Sequence, residues 1–444
     1  MRRKLVLLLF PALCFFLIAA TLFLGGDHLN RLSNLHLPFH HEAAPSIRPS
    51  EPVSNPTTTI TTTTTTATST TIPTTTTTTT TSTSAEQTTA SSTPSISNGT
   101  ILSAERIAPY VSAILDPAAT ELPRLECPAL DTGRYNVLRN ALDDPNNIDF
   151  FFALNLRECV QLLPRLLGSI VEAIRFLGPH RCALSIVEGN SPDGTADVLA
   201  ALGPFLDEIG VTYFYNNSDI NPAKGARIKL LAELRNLALE PLFEKRAAVT
   251  EDTTVLFIND VAACTEDLLE LLLQRRNLGA DMTCAMDWTY LGPDPTFYDI
   301  WISRTIKGDS FFKIDTGKWD AAGNLFWNDA QTKSRFESHL PFQVFACWNG
   351  ATTFTAAPLL HGLRFRDVYG DRGECFQGEP ELFCKDMWFK GYRKIAVVPT
   401  VNLEYSDERG ADIKKLKGYA SELVKNQDED SSKIEWAFDA PEKV

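Results

Sequence analysis

The chain has no GxGxxG turn after its first strand-like segment, no GxxxxGK[S/T] and no GxSxG. The first absence argues against a dinucleotide fold, the second against a P-loop, and the third against an α/β-hydrolase. Nine cysteines are present, yet none forms a CxxC pair or a cysteine/histidine cluster at zinc spacing. Disulfides or buried thiols are the reading left to them, with no connectivity legible from sequence. Positive charge is also scarce: 41 Lys and Arg stand against 55 Asp and Glu, a formal net charge of −14. The basic footprint that nucleic acid or an anionic lipid surface requires is therefore missing, so no nucleic-acid partner is expected.

Long apolar runs are missing too, with one exception. Leu5–Leu24 is an unbroken stretch of 20 uncharged, mostly apolar residues behind Met-Arg-Arg-Lys. That length matches a bilayer span and exceeds the apolar core of a signal peptide, and the basic flank belongs in the cytosol. The expectation is a single-pass signal anchor within residues 1–26 and a luminal remainder; a cleaved signal peptide is the other reading. Residues 27–100 show no apolar periodicity, and Thr57–Thr89 is almost entirely threonine and serine. Such a tract cannot bury enough apolar surface to offset its ordering entropy, so it reads as an extended, O-glycosylated stem. Asn98-Gly99-Thr100 and Asn216-Asn217-Ser218 are N-glycosylation sequons.

The 444-residue chain is long enough for one large domain with appendages. Asp149–Leu156 (DFFFALNL) reads as a strand, and Cys159–Leu177 as a helix with Leu162, Leu163, Leu166, Leu167, Ile170 and Ile174 at helical spacing. Ala183–Val187 is a second strand and Ala196–Leu202 a second helix. Together they make a βαβ unit, and so an α/β fold with a parallel sheet of the doubly wound type. Val211–Tyr215 is a third strand, and Ala226–Leu242 a helix carrying Arg227, Arg235 and Asn236. Thr253–Cys264 (TTVLFINDVAAC) then places a wholly apolar strand, Val255–Ile258, directly before Asn259-Asp260. Asp281–Met286 is a further strand that runs into Asp287.

Glu188, Asp260 and Asp287 thus stand at the expected carboxyl ends of three parallel strands, the edge at which open α/β sheets bind ligands. Taken singly, Asp260 reads equally well as a cap for the helix after it. Taken together, three acids suit an oxygen-ligated Mg²⁺ or Mn²⁺ holding a diphosphate, with Arg227 and Arg235 as guanidinium contacts to phosphate. Asp299 and Arg304 in FYDIWISR read as a buried pair on the acceptor side. His361, in Leu360-His361-Gly362, reads as a solvated turn residue. Residues 426–444, which include NQDEDSS, read as an acidic, solvated tail.

The run VEGNSPDGT (Val187–Thr195) after a buried strand is similar to the nucleotide-contacting turn of GT-A glycosyltransferases. ARIKLLAELRNLALEPL, VLFINDVAAC, ADMTCAMDW, FYDIWISRTIKGDSFF, FACWNGATTFTA, ECFQGEPELFCKDMW and VVPTVNLEYSDE come after it in order. Together these blocks, roughly Ile148–Tyr405, resemble the fungal capsule-associated α-1,3-mannosyltransferases of glycosyltransferase family 69. The resemblance implies a GT-A-like, Rossmann-type open mixed sheet flanked by helices, spanning about residues 101–425. It implies a type II Golgi membrane enzyme that moves mannose from GDP-mannose to a glycan acceptor with Mn²⁺ or Mg²⁺. It also implies residue roles. Glu188 and Asp193 belong to the nucleotide turn, Arg235 to the diphosphate, and Asn259-Asp260 to the metal motif. Trp348 and Asn349 line the sugar pocket, and Glu379 is the acceptor-side acid and catalytic candidate. From the residues themselves, the strand-end Asp287 is the second catalytic candidate and Asp386, in the acidic start of the Glu379 helix, the candidate on the acceptor side.

Val261 succeeds Asn259-Asp260, so the motif has one carboxylate, and Pro380 stands after Glu379 where many inverting relatives place an aspartate base. Retention is the implied outcome, and it demands leaving-group stabilisation and positioning more than a strong base. The rival from another class is a stalked carbohydrate-binding or cell-wall protein, which the Thr-rich stem fits equally well. Within the enzyme class the rival is a transferase using another nucleotide-sugar.

Overall fold

A computed structural model describes residues 94–140, 144, 146–314, 319–425, 427 and 429–442. The expected anchor and nearly all of the Thr-rich stem lie outside the described residues. Among the described residues no helix is long and apolar enough to cross a membrane.

The first strand, β1 (Ile148–Leu156), is buried along nearly its whole length. Its side chains alternate between two cores. Phe150, Phe152 and Leu154 join the apolar cluster on one face, whereas Phe151 and Ala153 join that on the other. A strand sealed on both faces must lie inside a layered α/β fold, and it does. β2 (Cys182–Glu188) and β4 (Val249–Ile258) flank β1 in parallel, and β3 (Thr212–Asn217) adds to β2. β5 (Met282–Tyr290), β6 (Pro295–Phe297), β7 (Arg304–Thr305), β8 (Phe342–Ala346), β9 (Ala351–Thr355) and β10 (Ile395–Leu403) complete the set. The order is β3-β2-β1-β4-β9-β5-β10-β8-β7, with β6 on β5.

One strand sets the layout of the carboxyl edge. β9 is inserted antiparallel between β4 and β5, so β4 and β5 keep a common direction. The sheet is therefore open and mixed, flanked by helices, in agreement with the sequence-based expectation.

Helices α1 (Ala104–Leu115), α2 (Leu163–Leu177), α3 (Thr195–Ile209) and α5 (Thr265–Leu278) pack on the face bearing Phe150. Helices α4 (Arg227–Phe243) and α7 (Glu379–Phe389) lie on the other, and α6 (Ala330–Glu337) precedes β8. The α2 helix starts four residues later than its leucine spacing suggests. Pro164 occupies its first turn, where a missing N–H and a fixed φ suit a helix start but not an interior. The α3 helix runs past Leu202 to Ile209, although Pro204 removes a hydrogen bond to the Ala200 carbonyl. Ala200 is exposed, so water can satisfy that oxygen.

Two disulfides pin the layers. Cys127–Cys264 ties an N-terminal segment to the start of α5, and Cys284–Cys347 joins β5 to the loop after β8. Cys159, Cys182, Cys375 and Cys384 are free. Part of the stretch read as a solvated tail is instead held on the domain. Gln343 bonds both the N–H and the carbonyl of Ala437, and Arg393 donates to the Phe438 carbonyl. Asp287 also departs from expectation. It lies inside β5, not at its end, because the edge strand β6 extends the pairing of β5 to Tyr290.

Candidate active site at the carboxyl edge of the sheet

Because β9 runs against β4 and β5, the loop that enters it opens at their carboxyl edge. Ile258 pairs with Ala351, and the Asn259 N–H donates to the Gly350 carbonyl at 2.8 Å. This brings Trp348 beside the Asn259-Asp260 step: its Nε1 donates to Asn259 Oδ1 at 3.1 Å. Arg235, on α4, lays its guanidinium over the Trp348 ring at 4.4 Å and donates from Nε to Glu379 Oε1 at 2.9 Å. Glu379 opens α7. Both members of this pair are largely buried, with side-chain exposures of 12% and 4%. Its orientation is fixed by stacking as well as by charge. Asn259, Asp260, Arg235, Trp348 and Glu379 thus meet from four separate stretches of chain.

Part of Asp260 reaches solvent, but its carboxyl is enclosed, and no side chain among the described residues donates to it. Burial pushes its pKa up to about 6, with the Arg235 charge pulling the other way.

Asp287 and Asp299 form a second acidic unit beneath the first. Tyr405 Oη donates to Asp287 Oδ2 at 2.6 Å, and the Asp299 N–H donates to Oδ1 at 3.3 Å. Asp299 Oδ2 in turn accepts the Asn349 N–H at 2.7 Å. Asn349 has φ +57 and is followed by Gly350 at φ +78, a left-handed pair that an L-residue adopts only with support. The support is dense. Ser303 Oγ donates to Asn349 Oδ1 at 2.6 Å, and Asn349 Nδ2 donates to the Ala285 carbonyl at 2.8 Å. Burial raises the Asp287 pKa well above the usual range and the negative charge of Asp299 adds to it. Asp299 is raised to about 6, chiefly by burial, against the pull of the Asn349 N–H and Arg235. The pair holds the Trp348 turn in place and retains protons that solvated carboxyls release.

Other nominated residues are placed differently. The buried Glu188 braces its own turn: its carboxylate accepts the N–H groups of Asn190 and Ser191 and the Ser191 hydroxyl. Asp193 accepts from the Val160 N–H and from the N–H and hydroxyl of Thr195, bonds that hold its pKa below the usual range against burial. Arg227 stands in the first turn of α4. Its charge reaches Tyr298, whose hydroxyl pKa is raised by burial and then by Asp299, Asp287 and Asp260.

Asp386 lies two turns down α7 from Glu379, roughly 10 Å by helical rise. There Arg366 grips it with two bonds at 2.7 and 2.9 Å. Asn98 is exposed and Asn216 half-buried on β3. The pairing expected between Asp299 and Arg304 is not made: Arg304 reaches Glu381 at 3.2 Å, and Asp299 serves Asn349. His361 bonds Tyr392 at 2.6 Å and Glu251 at 3.2 Å; Glu251 belongs to the amino-terminal half of β4, away from Asp260.

Sequence reasoning passed over Tyr298, Tyr405 and Ser303, and gave Asp299 no separable role. For Tyr298, Asp299 and Ser303 the signal was the crowding of polar residues in FYDIWISR between apolar ones; Tyr405 lies in a separate block, VVPTVNLEYSDE, where no local pattern marks it.

Among the described residues no three His, Cys, Asp or Glu side chains converge to hold a metal. The Asn259 amide oxygen is taken by Trp348 and the Glu188 oxygens by their turn, so a cation at this edge would find one carboxylate donor, Asp260. A hard divalent cation shared with a phosphate oxygen fits that donor; an all-protein cage does not.

The family model described as cryptococcal mannosyltransferase 1 matches residues 149–386. An α-1,3-mannosyltransferase of Cryptococcus neoformans is 35% identical over 314 residues, covering 66% of this chain and 67% of that protein. Among solved structures, a Pyrobaculum calidifontis mannosyltransferase in complex with GDP-Man and Mn²⁺ overlaps 64% of this chain and 66% of its own, at 11% identity and a TM-score of 0.36. Staphylococcus aureus TarS with UDP overlaps 63% of this chain and 66% of its own, at 13% identity and a TM-score of 0.34. Structural overlaps this slight fall short of showing a common fold.

Proposed function

We propose, proceeding from the fact that this chain belongs to the cryptococcal mannosyltransferase family and is a mannosyltransferase, that it moves mannose from GDP-mannose to a hydroxyl of a mannose-containing glycan. The linkage proposed is α-1,3, made with retention in a GT-A-type domain. The observation that carries this reading is the junction of Asp260, Arg235, Trp348 and Glu379 at one sheet edge. Arg235 stacks on Trp348 with only Nε engaged by Glu379, so its outer nitrogens are available to a phosphate oxygen.

The acids around it set a constraint. Even with Asp287 holding its proton, Asp260, Asp299 and Glu379 outnumber the nearby Arg235 and Arg227, and a diphosphate entering alone would face repulsion. Mn²⁺ or Mg²⁺ held by Asp260 would relieve that repulsion and, when bound, neutralise charge on the departing phosphate. The protein's own part is positional. Trp348, fixed from below by Asp299 and Asn349, gives the arginine a rigid shelf, so the guanidinium meets the leaving group without reorganising.

Placement of the domain in the Golgi lumen behind the apolar Leu5–Leu24 stretch belongs to the same proposal, and protease protection of sealed microsomes tests it.

A donor screen with the full chain tests the chemistry. GDP-mannose is expected to support transfer to α-mannobiose, with Mn²⁺ raising the rate. Asp260→Ala is expected to lower transfer by about a thousandfold while leaving the melting temperature unchanged or higher. Full activity in that variant would remove Asp260 from the site. Preference for another nucleotide-sugar would overturn the donor assignment.

A further inference from the structure

Tryptophan is among the most buried residue types on average, so an exposed pair in mutual contact calls for a reason. Trp301 is 53% exposed and Trp319 is 37% exposed. Their rings lie 6.2 Å apart at 84°, so they form a corner with one ring face and one ring edge. Trp319 is backed by buried Phe312 at 5.8 Å.

The backbone beneath Trp301 is braced to an unusual degree. Arg304 donates to the carbonyls of Ile300, Trp301 and Ser303 and pairs with buried Glu381 in the first turn of α7. A buried ion pair and three carbonyl bonds thus hold a turn whose outward product is a solvent-facing indole. That is a pre-organised surface, one that loses little freedom when something lands on it.

Its position ties it to the active site. Asp299, two residues before Trp301, fixes Asn349, and Tyr298 feels the charge of Asp260. Glu381 stands two residues from Glu379, the partner of Arg235. A saccharide is an uncharged ligand with one C–H face and a hydroxyl rim, and a mannosyltransferase must hold one outside its donor pocket. A ring face meets the C–H face of a pyranose, and a second ring set across it limits how that pyranose slides.

We propose that Trp301 and Trp319 form an acceptor subsite, stacking a hexopyranose of the glycan that receives mannose. The subsite rests on the mannosyl-transfer reading and extends it to a binding surface.

The test uses the full chain with GDP-mannose, Mn²⁺ and α-mannobiose or a longer manno-oligosaccharide. Trp301→Ala, Trp319→Ala and the double variant are expected to raise the acceptor KM about tenfold, the scale of an aromatic contact. The donor KM and the acceptor-independent release of GDP should stay at wild-type values. Trp301→Phe should recover part of the loss, because a smaller ring still stacks. Adding acceptor to wild type should shift the tryptophan emission, and the double variant should lose that shift.

An unchanged acceptor KM in the double variant overturns the subsite. So does an equal fall in acceptor-independent GDP release, which would mean that the indoles only support the fold. If the wild type transfers no mannose at all, the donor reading fails instead. In that case direct binding of the manno-oligosaccharide, followed by tryptophan emission in wild type and double variant, still decides the subsite.

Discussion

At Asp299 a single carboxylate oxygen stands between an ordered Trp348 turn and a slack one, since it accepts the Asn349 N–H beneath Trp348. Asp299→Ala leaves that N–H enclosed without a partner, which costs about 1–3 kcal/mol. Asp299→Asn keeps an acceptor oxygen in place. The expected outcome is a lowered melting temperature and reduced transfer in the alanine variant, with both largely restored in the asparagine variant. Equal losses in the two would show that charge, not the acceptor, is what matters there. None of this was visible from residue identity. Asp299 looked like a partner for Arg304, and only the fold sent Arg304 to Glu381 instead. Asp260 and Arg235 were legible because an acid after an apolar strand, and an arginine on the helix before it, carry positional meaning in any open α/β sheet.

The element that gathers the site is the loop from Cys347 to Gly350. Gly350 has φ +78, and a Cβ placed on it would lie 3.2 Å from both the Asp287 Cβ and Val261 Cγ1. Val261 is fully buried in the core, and Asp287 is held by Tyr405 inside β5, so neither neighbour yields easily. Gly350→Ala should therefore destabilise by about 1–3 kcal/mol and cut transfer, because the Trp348 turn shifts. Gly279→Ala is the control: its φ is also positive, but nothing lies within 4 Å of an added Cβ. It should cost about 1 kcal/mol and leave transfer intact. Chemical denaturation and kinetics of the two variants decide it; equal behaviour would mean that backbone strain alone is at work.

The disulfide Cys127–Cys264 acts at the same scale, since it clamps the start of α5 four residues beyond Asp260 across a sequence separation of 137. Replacing both cysteines with serine should cost about 2–5 kcal/mol. Correspondingly, a reductant that lowers the melting temperature of wild type should lower that of the variant less.

Across the whole molecule, raised carboxyl groups set the pH response. Burial lifts Asp260 and Asp299 to about 6, and Glu381 to about 7 despite its arginine. In each, the folded state keeps a proton that the unfolded chain releases near pH 4, so the favourable contribution is complete below that point. It is lost as pH rises through the folded values. The opposite group comprises Asp193, Asp197 and Glu374, whose pKa values are lowered by hydrogen bonds or ion pairs. Their contribution is present above the ordinary carboxylate range and disappears in stronger acid. The melting temperature should therefore peak near pH 5, fall toward pH 7.5, and fall again below about pH 4. Glu381→Leu combined with Asp299→Asn should flatten the neutral limb. A melting temperature that climbs steadily from pH 5 to 7.5 would contradict this account.

Sequence alone determined the α/β class, the run of strands and helices, and the block order that marks the family. Those arise from local periodicity and from residues close along the chain. It also singled out Asp260, because an apolar strand that stops at an acid announces its edge. What only the tertiary structure decided is which side chains meet there. The antiparallel insertion of β9 between β4 and β5 carries Trp348 to Asn259, and Arg235 and Glu379 meet across 144 residues of chain. Such contacts depend on strand order and direction, and no local pattern encodes either. Asp287 and Asp299 illustrate the reason: two acids twelve positions apart share one enclosed pocket only because β5 and the loop entering β9 close over them.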